Sequence, residues 1–106
     1  GLPLVKMVGR PDLEVGAVAI CSGSGGGVVS DFLLSPAQVL VSGDLRYHDA
    51  RTVEAVDRAL VDIGHFGSER IAIDLLKTML DREFAQMGIG ADLVACPLEQ
   101  EPFVVL

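Results

Sequence analysis

Ile63-Gly64-His65-Phe66-Gly67-Ser68-Glu69-Arg70 is the stretch from which the fold is read. An apolar run, Val61-Asp62-Ile63-Gly64, ends at a glycine; a histidine follows at once, and a glutamate comes four residues later as a helix opens. A short strand turning directly into a helix is the unit of an α/β domain. The spacing also sets imidazole and carboxylate on one side of the turn, at a separation that a divalent metal can bridge.

The same alternation extends on both sides. Val15 to Cys21 is continuous, small and β-branched, as expected of a strand covered on both faces. Ser22–Gly27 forms a glycine-rich corner, and Val28 to Leu34 resumes at helical spacing before Ser35-Pro36. Gln38 to Ser42 reads as a second buried strand closed by Gly43-Asp44. Tyr47 to Leu60 has helical recurrence, and Val61–Gly64 is the third strand. In the last helix Ile73, Leu76, Leu80, Phe84 and Met87 form an apolar stripe, with Gly88 and Gly90 as the stop. Ala91 to Cys96 is expected as a fourth buried strand, followed by a tail from Pro97 to Leu106. Leu4 to Val8, before the turn cluster Gly9-Arg10-Pro11-Asp12, reads as an edge strand or a linker. The expectation is a single three-layer α/β/α domain over residues 1–106, with a mostly parallel or mixed sheet.

Size and composition agree. With 106 residues, half of them apolar, and a mean hydropathy of +0.47, the chain can bury a real core. It also carries more apolar surface than a small domain hides, so a partner surface is expected. No run approaches the ~20 apolar residues of a membrane span, and the start does not read as a signal peptide. The opening Gly1-Leu2-Pro3 lacks an initiator methionine, as in a processed chain, a fragment or an excised domain. A net charge of −7, with dispersed carboxylates, argues against duplex nucleic acid, which wants a clustered basic face. Cys21 and Cys96 form no CxxC and read as buried free thiols of a reducing compartment, with the cytoplasm as the expected location.

In a parallel sheet, ligands gather outside the carboxyl ends of the strands, so three corners matter: Ser22–Gly27, Gly43–His48 and Gly64–Glu69. In the first, a dinucleotide fingerprint begun at Gly23 fails because its third glycine falls on Val28, and no Gly-Lys-Ser/Thr makes a P-loop. Two readings remain: a tight turn that needs glycine, or backbone N–H groups of Ser22, Gly23, Ser24, Gly25 and Gly26 that hold an anion. In the second corner, Asp44 can cap the following helix, and His48 is either a surface imidazole or an acid–base group. In the third, His65 and Glu69 offer a nitrogen and an oxygen suited to zinc, manganese or iron. Glu69 in a first helical turn also complements the helix dipole with no metal at all. Ser68 lacks the G-x-S-x-G elbow of a nucleophile.

Three segments taken in order carry a resemblance. They are Ala17-Val18-Ala19-Ile20-Cys21-Ser22-Gly23-Ser24-Gly25-Gly26, Val41-Ser42-Gly43-Asp44-Leu45-Arg46-Tyr47-His48-Asp49-Ala50 and Gly64-His65-Phe66-Gly67-Ser68-Glu69-Arg70. With Val5-Lys6-Met7-Val8-Gly9 before them and Glu101-Pro102-Phe103 after, the chain resembles the C-terminal half of the Nif-three-like (Ngg-one-interacting factor three) family. That family often carries the label GTP cyclohydrolase I type 2 homologue.

The resemblance implies a dinuclear metal site in a two-part α/β protein that assembles into ring-like hexamers. It makes His65 and Glu69 metal ligands and puts His48 near the metals, either as a group that supports the ligands or as a proton-transfer group. The other ligands, a His-His pair and an aspartate, come from the N-terminal half. Here the only histidines are His48 and His65, so the segment supplies part of a site for two divalent ions. The function so implied is metal-assisted hydrolysis of a nucleotide or other phosphate-containing substrate. The alternative is a non-catalytic oligomerisation or regulatory domain whose half-site stays empty.

Overall fold

The computed structural model describes residues 4–104. The chain divides into two compact units, Gly1–Ser68 and Glu69–Leu106. The first unit holds β1 (Lys6–Val8), β2 (Val18–Ser24), a 3-10 turn (Gly25–Val28), α1 (Val29–Leu34), β3 (Val39–Gly43), α2 (Tyr47–Glu54) and β4 (Ala59–Asp62). It ends with the opening of α3 (His65–Gln86), which runs on into the second unit.

The four strands form one sheet in the order β1-β4-β3-β2. Strands β2, β3 and β4 are parallel, and β1 closes one edge antiparallel to β4. The α/β class and the mixed sheet are as expected from the sequence. Register fixes the core: Ala19 pairs with Leu40, Leu40 with Leu60 and Leu60 with Val8, so their side chains share one face. Val29 and Phe32 from α1 and Val53 from α2 pack onto this row. Leu40 is 1% exposed and Val53 0%, and complete burial of such a side chain stabilises by roughly 1.5–3 kcal/mol. Arg58 closes the rim, with its guanidinium 5.3 Å from the centre of the Phe32 ring and donating to the Phe32 carbonyl.

Several boundaries depart from the sequence reading. Strand β2 was expected to be covered on both faces, but Val18 and Ile20 are exposed and Ile20 is 78% so. The cause is that α1 packs over the Ala19 and Cys21 side only. The helix expected over Tyr47–Leu60 stops at Glu54. Asp57 turns the backbone to a left-handed φ of 55°, and Leu60 enters β4, where it is buried. The third strand therefore starts at Ala59, two residues earlier than expected, and ends at Asp62.

In the second unit α3 ends in a Schellman motif. Ile89 N–H donates to the Phe84 carbonyl, Gly88 N–H donates to that of Ala85, and Gly88 is left-handed. Of the expected stripe, Ile73, Leu80 and Phe84 are half-buried, whereas Leu76 and Met87 are exposed. Ala91–Cys96, expected as a fourth buried strand, forms no strand. A strand holds only where a neighbour takes up its backbone N–H and C=O groups, and no described strand pairs with this segment. Cys96 is exposed as a result, contrary to the expected buried thiol, while Cys21 is half-buried; both are free. The Glu101-Pro102-Phe103 segment is likewise irregular, and Val105 and Leu106 at the end of the tail lie outside the described residues. No helix among the described residues is long and apolar enough to cross a membrane.

Candidate functional site

Because β2, β3 and β4 are parallel, their carboxyl ends leave the same edge of the sheet. The turns that follow are tied together there. At Gly43 a Cβ would lie 2.5 Å from the Gly64 carbonyl carbon and 2.6 Å from the His65 nitrogen. The second and third turns therefore meet backbone on backbone, an approach only glycine permits.

Asp62 fastens the same junction from below. Its carboxylate accepts the Gly64 N–H at 2.9 Å and the Leu45 N–H at 3.3 Å, and Lys6, its register partner on β1, stands 3.5 Å away. Ser42, fully buried, donates to the Cys21 carbonyl at 2.7 Å and so joins β3 to β2.

Ser68 ties in the glycine corner. Its hydroxyl accepts the Gly23 N–H at 2.7 Å and donates to the His65 carbonyl at 2.7 Å. Gly25 is buried, and a Cβ there would lie 2.1 Å from the Ser42 hydroxyl oxygen. Strand β2 runs on through Ser24, so Ser22, Gly23 and Ser24 lie in the strand and not in the corner expected over Ser22–Gly27. Three of the five anion-holding candidates are thus committed, Gly23 through its N–H, Ser24 by pairing with Gly43 and Gly25 through packing. Ser22 and Ser24 are exposed and Gly26 is half-buried.

His65 opens α3 with its side chain 48% exposed, and its Nδ1 lies 2.8 Å from Asp44 Oδ2. An ionised carboxylate only accepts, so Nδ1 carries the proton in this contact. Asp44 itself holds a left-handed φ of 52°, a conformation that aspartate tolerates and most residues do not. Asp44 does not cap α2, as its position had suggested. Arg46 is the N-cap, and Asp49 at N3 accepts both its backbone N–H and its Nε–H. The Arg46 guanidinium holds the Asp49 carboxyl below the usual carboxylate value, against partial desolvation.

His48, on the first turn of α2, is exposed and stands edge-on to the Tyr47 ring with centroids 5.6 Å apart. Glu69 follows His65 by four residues along α3 and is exposed. Among the described residues no group of three or more His, Cys, Asp or Glu side chains is placed to hold a metal ion. The residues that sequence reasoning missed are Asp62 and Ser68 in their roles as ties. The available signal was a carboxylate inside an otherwise apolar strand.

A mixed sheet whose three parallel strands bring polar groups together at their carboxyl edge defines an α/β protein with its candidate site on that edge. A profile of the Duf34/NIF3 (NGG1p interacting factor 3) family matches residues 1–102, and the chain belongs to this family. A Staphylococcus aureus (strain MSSA476) protein named GTP cyclohydrolase 1 type 2 homolog is 33% identical over 102 residues. The match covers 96% of this chain and 28% of that protein. Among solved structures, Staphylococcus aureus protein SA1388 aligns with a TM-score of 0.90 at 32% identity, over 99% of this chain and 34% of its own. A Bacillus cereus protein related to NIF3 aligns at 0.89 and 25%, over 99% of this chain and 29% of its own. The chain thus spans about 28% of the length of the curated relatives that it matches most fully.

Proposed function

We propose that this segment supplies part of a dinuclear divalent-metal site, with His65 and Glu69 as ligands to zinc, manganese or iron. The observation that carries the reading is the mounting of His65. It sits at the meeting of three turns, braced by the Gly43 backbone, by the Ser68 hydroxyl on its carbonyl and by Asp44 on its ring. A ligating imidazole that donates its other ring N–H to a carboxylate is the common arrangement in metal sites. The donor types fit a transition metal, but two donors fill only half of a tetrahedral sphere. The remaining ligands would come from chain beyond this segment, in keeping with its share of its relatives' length.

A pair of such ions, when bound, supplies an activated water and a clamp on an anionic oxygen. The substrate class that suits this is a nucleotide or another phosphate-containing molecule. His48, exposed on the first turn of α2, would move the proton. The anion would meet the glycine corner over Ser22–Gly26, with the Arg46 guanidinium, which lies beside Gly26, as the nearby positive charge. The assembly would be a homo-oligomer, a hexamer by family likeness.

A second reading is favoured by the exposed apolar side chains of Val18, Ile20 and Met7, which lie on one face of the sheet at its two edges. It makes the segment an oligomerisation or regulatory domain with an empty half-site. Zinc and manganese content, measured in the longer protein that the metal reading requires and in its His65→Ala variant, separates the two. Loss of about one ion per protomer in the variant is the expected result. Equal metal in both sinks the ligand assignment.

A further inference from the structure

The geometry points to Asp44 as a positioning residue that fixes the tautomer and ring angle of His65, so that the imidazole meets a metal through Nε2. This inference rests on the metal reading and adds to it a residue from a different turn, 21 positions away in sequence.

Three independent features carry it. The first is the contact itself, 2.8 Å between Nδ1 and Oδ2, within the range of a short charge-assisted hydrogen bond. The second is the backbone of Asp44, whose φ of 52° is left-handed. Such conformations cost energy in most residues and persist where surrounding structure imposes them, often at functional sites. Here the left-handed residue directly follows Gly43, the residue pressed against the Gly64–His65 backbone. The third is the division of labour in the turn. Capping of α2 is performed by Asp49 on Arg46, so Asp44 is not needed there, and its carboxylate is turned to the neighbouring turn instead.

The consequence is chemical. A neutral imidazole can carry its proton on either nitrogen, and the hydrogen bond made by one decides which lone pair the other presents. With Asp44 accepting from Nδ1, the lone pair is on Nε2 and the ring plane is set by the carboxylate. Partners of this kind typically change metal affinity by about 10- to 100-fold when removed.

The test uses the longer protein and three variants: Asp44→Gly, Asp44→Asn and His65→Ala. Glycine accepts the left-handed backbone, so Asp44→Gly removes the carboxylate without adding strain. Asn also tolerates that backbone and keeps an acceptor oxygen. The first readout is the nitrogen chemical shifts of the His65 ring in metal-free protein at alkaline pH. A predominantly Nδ1–H form is expected in the parent and in Asp44→Asn, and a shift toward the Nε2–H form in Asp44→Gly. An unchanged tautomer in Asp44→Gly overturns the inference without touching the metal reading. The second readout is zinc affinity by chelator competition. Asp44→Gly is expected to weaken it by about 10- to 100-fold, Asp44→Asn by less, and His65→Ala by more than either. Wild-type affinity in Asp44→Gly, with loss in His65→Ala, also overturns the inference and leaves the metal reading standing. Wild-type affinity in all three variants removes the metal reading itself, and this inference with it.

Discussion

Ala19, Leu40 and Leu60 on one face of the sheet are closed over by α1 and α2, whereas Val18, Ile20 and Met7 on the opposite face stand in the open. Both rows are equally apolar in sequence, so composition does not separate them. The difference is topological: a strand's two rows are buried only where each face has a layer, and the helices of the first unit supply one. The carboxyl edge differs from both faces. There stability comes from polar ties with short reach, the Asp62, Ser42 and Ser68 bonds, rather than from area. No buried side-chain polar atom among the described residues is left without a partner.

The largest effect that would break this contrast is expected at Leu40. Truncating it to alanine opens a cavity at the centre of the covered face and should cost about 2–5 kcal/mol, read as a drop in the urea midpoint at constant m-value. Asp62→Ala comes next. It strips acceptors from the Gly64 and Leu45 N–H groups at once, and leaving partly buried donors unpaired costs about 1–3 kcal/mol. Unlike the Leu40 change, it should also loosen the turn that carries His65, seen as faster amide exchange at Gly64 and Leu45.

These two cases mark what the sequence could and could not disclose. Apolar runs ended by glycine located β2, β3 and the opening of α3, because strand burial and tight turns each leave a local signature. The end of α2 escaped because Val53, Val56 and Leu60 recur at helical intervals, while the left-handed turn at Asp57 has no strong local marker. Ala91–Cys96 looks like a buried strand because composition reports apolarity and not whether a neighbouring strand is there to pair with. His65 was visible as a candidate from its own turn. Its contact with Asp44 was not, because that contact exists only once β3 and β4 lie parallel and in register.

Ser68→Ala tests the edge alone. It removes one hydroxyl that serves both Gly23 and His65, with an expected cost of about 1 kcal/mol and exchange of the Gly23 amide as the direct readout. Arg46 and Asp49 give the edge a pH dependence. The Asp49 carboxyl is held below its ordinary value of 3.8 by Arg46. A depressed folded-state value contributes stability above the unfolded one and loses it as pH falls through the folded one. Acid unfolding monitored below about pH 4 should therefore be less steep in Asp49→Asn, and that variant should be less stable than the parent at neutral pH.

The smallest expected effect is the sharpest test of the two faces. Ile20→Ser exchanges a large apolar side chain for a small polar one at a position 78% exposed. If the open row is open in solution, the change stays within about 0.5 kcal/mol, although the same substitution at Leu40, in the neighbouring strand and one row away, would be ruinous. The measurement is the unfolding midpoint at two protein concentrations well apart. A midpoint independent of concentration and unchanged by the substitution means that the row faces water. A loss of more than about 1 kcal/mol that grows with protein concentration means that another copy of the chain covers it, since association adds stability by mass action. The contrast between the faces would then describe the isolated chain, and the apolar sequence of β2 on both sides would have a physical cause.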